Sequence, residues 1–167
     1  MNKRLFVFWG VLAAVVVATT GGYFVWSKYF KYDLEKVYQE EEQKYIAAMT
    51  ADTYGGKTPQ ETLDMFVDAL RKEDIELASK YFMLDTDSGS KNYLSHDGDR
   101  ALLELAKTEN RLGEISNVLS RAVLSSDQPT WDKALLFYVV YDQNQNLIAD
   151  VSLRFNKYSQ VWKIESL

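Results

Sequence analysis

The sequence predicts an α+β fold behind an N-terminal membrane anchor, on three observations. Leu5 to Trp26 is a run of 22 residues without a charged side chain. From Thr58 to about Leu112, apolar residues recur at the three- and four-residue steps of helices with one buried face. From Ala134 onward, β-branched and aromatic runs alternate with short polar turns. Helices followed by an antiparallel meander form an α+β arrangement, here helices packed on a sheet of about four strands.

The anchor comes first. At about 1.5 Å per residue, a helix over 5–26 crosses the ~30 Å hydrocarbon core of a bilayer. Trp9 near one end, and Tyr23 and Trp26 at the other, suit the two interfaces. A cleaved signal peptide is the rival reading, with weak cleavage sites around Ala18–Gly22. The apolar run resumes after Gly21-Gly22, however, and makes a full span. Basic residues flank both ends, Lys3 and Arg4 against Lys28, Lys31 and Lys36, so the positive-inside count is nearly tied. The Met-Asn-Lys-Arg start favours a cytoplasmic N-terminus and an extracytoplasmic C-terminal domain. Gly10, Ala14, Ala18 and Gly22 lie at successive i+4 positions, a row of small residues along which another helix can approach closely.

Charge narrows the partners. The net charge of −5 divides into +4 for residues 1–32 and −9 for 33–167. So acidic a domain repels phosphates, which disfavours nucleic acid. With no cysteine there is no disulfide framework, thiolate metal site or cysteine nucleophile.

Three regions follow: an anchor with its flanks over 1–32, a helical stalk and linker over 33–57, and the domain over 58–167. In the stalk, Leu34, Val37, Tyr38, Tyr45, Ala48 and Met49 share one helical stripe, interrupted by Glu41. Gly55-Gly56 ends it as a linker. Thr58-Pro59-Gln60-Glu61 opens a helix with a capping hydroxyl, a proline at the first helical position and a glutamate two residues later. Leu63, Phe66, Val67 and Leu70 form its buried face. Asp74 caps a second, shorter helix with Ile75, Ala78, Tyr81 and Phe82 inward. Residues 84–98 read as a polar loop. Asp99 is placed to cap a third helix carrying Leu102, Leu103, Leu105 and Ala106 to about Leu112. Beyond Gly113 the period changes, and Ile115, Val118, Leu119 and Val123 lead to a turn at Ser125–Pro129. Ala134–Tyr141 is an interior strand. Leu147–Phe155 is a half-buried one, with Ala149, Val151, Leu153 and Phe155 on one face, and Val161–Ile164 closes the sheet.

Two stretches carry a resemblance. Thr58-Pro59, Phe66, Ala69-Leu70, Asp74, Ala78 and Tyr81-Phe82 resemble the opening helical hairpin of small nuclear-transport-factor-two-like domains. The ending VSLRFNKYSQVWKIESL resembles their last hairpin, closed by a Trp-x-Ile strand. These are packing motifs over about two-thirds of the domain. The resemblance implies a curved sheet wrapped around helices to leave a cone-like hollow. Members range from isomerases to non-catalytic binding domains and membrane-anchored assembly factors, so the fold does not choose among them.

No chemistry-bearing motif stands out. Asp150 is the one acid of the alternating strand, and its parity turns it away from Val151 and Leu153. Asp64 and Asp68 lie outside the buried stripe of their helix. A solvated face is the better reading of all three than a general base. His96 sits among Asp85, Asp87, Asp97 and Asp99, but the spacing departs from a calcium-binding loop: the sixth position from Asp85 is Ser90 and the twelfth is His96. No metal or other cofactor is implied. Phe66, Leu70, Tyr81, Phe137, Tyr138 and Trp162 are candidates to line a hollow, with plain core as the commoner role of such aromatics.

The expectation is therefore a non-enzymatic, membrane-tethered domain binding a protein partner or a small ligand, in an envelope accessory or assembly role, with self-association through the anchor included. The alternatives are an isomerase- or hydrolase-like enzyme acting on a small apolar substrate, and a structural subunit of a secretion-type assembly.

Overall fold

A computed structural model of the chain describes Gly22, Tyr23 and residues 34–167. Apart from Gly22 and Tyr23, which are helical, the 5–26 span lies outside the described residues, and with it Gly10, Ala14 and Ala18. Among the described residues no helix is long and apolar enough to cross a membrane.

Two compact units divide the chain, Met1–Lys44 and Tyr45–Leu167. Helix α1 covers residues 34–51. Its first turns carry the exposed ion pairs Lys36–Glu40 at 3.9 Å and Lys44–Glu41 at 2.6 Å. The second unit holds α2 (Pro59–Arg71), α3 (Ile75–Ser79), α4 (Asp97–Thr108), α5 (Leu112–Leu119), β1 (Val123–Leu124), β2 (Leu135–Tyr141), β3 (Leu147–Asn156) and β4 (Val161–Ser166). The strands form one antiparallel sheet in sequence order, so the architecture is α+β. Because this unit starts at Tyr45, it takes in residues that the sequence places in the stalk and linker.

The helix starts follow local chemistry. Thr58 caps α2, its hydroxyl accepting from the Glu61 amide at 3.2 Å, with Pro59 at the first helical position. Glu61 reaches back to the Lys57 amide at 2.7 Å, so two otherwise free amides are satisfied reciprocally. Thr58→Ala is expected to cost about 1 kcal/mol in a denaturant melt, with no change in the m-value. Asp74 caps α3 through the Leu77 amide at 3.0 Å.

Two expectations need correction. The third helix begins at Asp97, and Asp99 lies within its first turn rather than at its cap. Nor does it run on to Leu112: it stops at Thr108, and Asn110 turns the chain with φ 57°. The residues after Gly113 then form a separate helix, α5. Ile115, Val118 and Leu119 are spaced i, i+3, i+4, the helical pattern, and the period turns to that of a strand only at β1. Leu103 alone of the α4 leucines is buried, while Leu102 and Leu105 are exposed.

The strand register decides which residues share a face. Leu136 pairs with Leu153, Tyr138 with Val151 and Val140 with Ala149. Tyr138, Val140, Ala149, Val151 and Leu153, with Ile164 opposite Leu153, meet Phe66, Leu70, Ile75, Tyr81 and Leu119 in one core. Phe66 and Phe82 stack edge-to-face at 5.3 Å. The opposite face carries Phe137, Val139, Asp150, Ser152, Arg154 and Lys163, by the same alternation. Along the outer edge of β4, Ile164 donates to the Tyr81 carbonyl and accepts from Met83, both at 2.8 Å. Trp162 donates to the Gly56 carbonyl at 2.9 Å, so this half of the edge is covered.

Candidate partner-binding site

The candidate site lies at the N-terminal half of β3. β3 spans Leu147–Asn156, yet β4 pairs with it only from Ser152 to Asn156. A β-bulge between Ser152 and Leu153, with Glu165 as the extra residue of β4, interrupts the ladder near its end. On the β2 side, Leu147, Ala149, Asp150 and Val151 are in register, while a second bulge, opposite Val140 and Tyr141, leaves Ile148 outside the ladder.

A groove of about 350 Å3 lies against this stretch of β3, lined by Ile115, Val118 and Leu119 of α5, by Ile148, Ala149 and Asp150 of β3, and by Leu167, with Arg111 and Glu114 also in its lining. Ile148 is the extra residue of the bulge, where the alternation of the strand is interrupted, and it lines the groove together with Ala149 and Asp150. Its wall is apolar, and Ile148 and Leu167 are about half exposed, at 46% and 51%. Arg111 is engaged by Glu109 at 3.4 Å. Among the described residues Glu114 and Asp150 have no ion-pair partner, so the rim carries net negative charge.

A larger cleft, about 660 Å3, opens on the second face of the sheet, where Tyr45, Met83, Asp85, Ser95, Asp99 and Arg154 are among its lining. Its lining mixes polar groups with Met83, Leu84 and Leu102, and its charged groups are largely paired within the molecule. Arg154 is gripped by Asp132 at 2.6 Å and by both oxygens of Glu165 at 2.6 and 3.2 Å. Asp85 accepts from the Asp87 amide at 2.9 Å, and hydrogen bonding, chiefly from Ser90, holds its carboxyl below the usual range. Burial raises Asp99 above its ordinary value, against the attraction of His96. Among the described residues no group of three or more acidic or histidine side chains is placed to hold a metal ion.

Deeper in the second face is a buried ammonium. The Lys163 side chain is wholly enclosed, and its Nζ donates to Asp52 Oδ1 at 2.6 Å, the Lys80 carbonyl at 2.6 Å and the Tyr54 carbonyl at 2.9 Å. Burial pulls its pKa below the ordinary lysine value, opposed by the Asp52 charge. His96 Nε2 stands 3.5 Å from the same carboxylate oxygen. Beside this cluster, Asn156 Nδ2 donates to the Met49 carbonyl at 2.9 Å. Together Lys163 and Asn156 fasten residues 49–54 to the sheet, a structural role that fills all three ammonium donors.

The aromatic candidates do not converge on one hollow. Phe66, Leu70, Tyr81 and Tyr138 are packed into the core. Trp162 packs against that core and lies 5.5 Å from Phe155. Phe137 sits on the opposite face from Tyr138, because neighbours in a strand alternate. None of the six lines either cavity described above. Asp150 points away from the core, as its parity requires, and lines the groove instead. Of the small-residue face of the anchor, only Gly22 is described, and nothing stands within 4 Å of where its Cβ would be.

The groove left one trace in the sequence: Leu147 and Ile148 are apolar on both parities at the start of β3, where a half-buried strand needs only one. Lys163 left none, because the groups it donates to lie 83 to 111 positions away. Comparison of the chain with protein-family models, with curated proteins and with solved structures finds no match.

Proposed function

We propose that this chain is a membrane-tethered, non-enzymatic domain, exposed outside the cytoplasm, that acts by binding a protein partner in an envelope accessory or assembly role. The observation that carries the reading is the apolar groove between α5 and β3, with Ile148 about half exposed beside it. Exposed apolar side chains gathered along a groove mark a surface that a partner covers. Tethering draws on the uncharged run Leu5–Trp26, and the nuclear-transport-factor-two-like assignment on the Phe66 core of α2 and the closing Trp162-Lys163-Ile164 strand.

The test uses the full chain in its own membrane. A photoreactive amino acid at Ile148 or Ile115 is expected to yield one discrete heavier adduct, while the same group at Asp64, on the exposed side of α2, yields none. Equal labelling from all three positions would sink the reading. Topology is checked separately, since the natural chain has no cysteine. With single cysteines at Asn2 or Ser90, a membrane-impermeant thiol reagent on intact cells is expected to mark only Ser90→Cys. Labelling of Asn2→Cys alone would place the domain in the cytoplasm.

An enzyme acting on a small apolar substrate is the second reading, favoured by Asp99, a partly buried carboxylate with a raised pKa on the larger of the two cavities described. Against it, the charged groups that act on Asp99 are His96 and Asp85, and no Tyr or Trp donor acts on it among the described residues.

A further inference from the structure

We propose that the cleft at Asp99 and a smaller apolar cavity adjoining it form one binding site for a small amphiphilic cation, a protonated amine on a single hydrocarbon chain. The amine sits at Asp99 and the chain runs toward Phe155. No residue of this site lines the groove between α5 and β3, and the inference goes beyond the partner-binding reading. Three observations select the ligand.

The first is continuity. A cavity of about 240 Å3 adjoins the cleft of about 660 Å3, and Tyr45, Met83 and Arg154 line both. Met49, Ala134, Phe155 and Tyr158 belong to the smaller one alone, where Tyr158 meets Tyr45 edge-to-face at 5.8 Å. Leu84 and Leu102 add apolar wall on the cleft side. Enclosures of this size with mostly apolar walls and a few fixed polar groups hold small molecules.

The second is a carboxylate without a counter-ion. Arg154 and Glu165 hold each other, and Asp85 accepts from the Asp87 amide and from Ser90. Asp99 is partly buried, yet among the described residues no lysine or arginine pairs with it, and His96 alone attracts it. Withdrawal from water without compensation is what raises its pKa. With Asp85, Asp99 and Glu165 against Arg154, the cleft is net negative and draws in a cation.

The third is direction. The charged side chains lining the smaller cavity are both cationic: Arg154, and Lys157, whose ammonium stands 5.0 Å over the Tyr158 ring. They repel an amine from that end and leave it at Asp99. The hydrocarbon chain is left to Met49, Met83 and Phe155, where burial of each methylene adds to affinity.

The experiment uses the full chain in phosphatidylcholine nanodiscs and an octylamine probe with a diazirine at its far end, with empty nanodiscs subtracted. Photolysis is expected to label Met49, Phe155 or Tyr158 saturably. Octylamine is expected to displace the probe at a concentration at least tenfold below that of octanol or octanoate, and at least fivefold below that of butylamine. Asp99→Asn is expected to raise the octylamine concentration needed at least fivefold, whereas Asp68→Asn, on the exposed side of α2, leaves it unchanged. Equal displacement by octylamine and octanol on the natural chain would overturn the proposal, whatever the fate of the variants. So would an Asp99→Asn chain that binds octylamine as well as the natural one, or labelling that does not saturate or falls only outside the two cavities.

Discussion

Lys163→Met is expected to lower the stability of the folded unit by about 3–5 kcal/mol, the usual result of removing one partner from a buried ion pair. The ammonium is enclosed and holds three acceptors, Asp52 Oδ1 and the carbonyls of Lys80 and Tyr54. Methionine fills a similar volume but donates nothing. It leaves the Asp52 carboxylate in a low-dielectric site where its Oδ2 already lacks a hydrogen-bond partner. Two carbonyls lose their donor at the same time. The double variant Lys163→Met/Asp52→Leu removes both charges and is expected to recover more than half of the loss, since a matched apolar pair avoids both desolvation terms. Urea titration of the two variants beside the natural chain measures this. A single-variant loss under 1 kcal/mol would mean that the ammonium is not what holds residues 49–54 against the sheet.

The second large effect is expected at Gly55. Its φ of +152° lies in a region that side chains rarely adopt, and an added Cβ would stand 2.2 Å from the Trp162 carbonyl oxygen. That carbonyl cannot easily give way. It accepts from the Thr62 hydroxyl at 3.0 Å, the Trp162 amide donates to Gly56 at 2.9 Å, and Gly56 donates to the same Thr62 hydroxyl at 2.8 Å. Backbone strain of about 1–3 kcal/mol adds to the displacement of a bonded strand, so Gly55→Ala is expected to cost about 3 kcal/mol or more. Gly113→Ala is the control. That glycine lies in α5 with nothing within 4 Å of its would-be Cβ. There alanine is expected to raise stability by about 0.5–1 kcal/mol through helix propensity. Thermal melts that rank the two substitutions the other way would contradict this account of residues 55–62.

Both effects sit in a segment that local sequence describes poorly. Gly55-Gly56 reads as a linker because glycine is conformationally permissive. In the structure the same property lets the chain pass against β4 without a side chain in the way. A permissive residue has the same local signature whether the chain is loose or tightly confined, and only the approach of Trp162 separates the two. Lys163 is a parallel case. Strand alternation places it on the face away from the core, where a lysine is ordinarily solvated. Residues 49–54 then cover that face.

What the amino-acid sequence determined by itself is what depends on neighbours within a turn or a strand. The Thr58 and Asp74 caps, the buried stripe of α2, the alternation of β3 and the order of helices before a meander are all local, and the structure holds each of them. Tertiary structure alone decided the rest. It separated α5 from α4, enclosed Lys163 and sent the aromatic candidates to different places. The physical reason is the same in each case. Periodicity reports which face of an element is apolar, but what covers that face is settled by contacts between residues far apart in the chain.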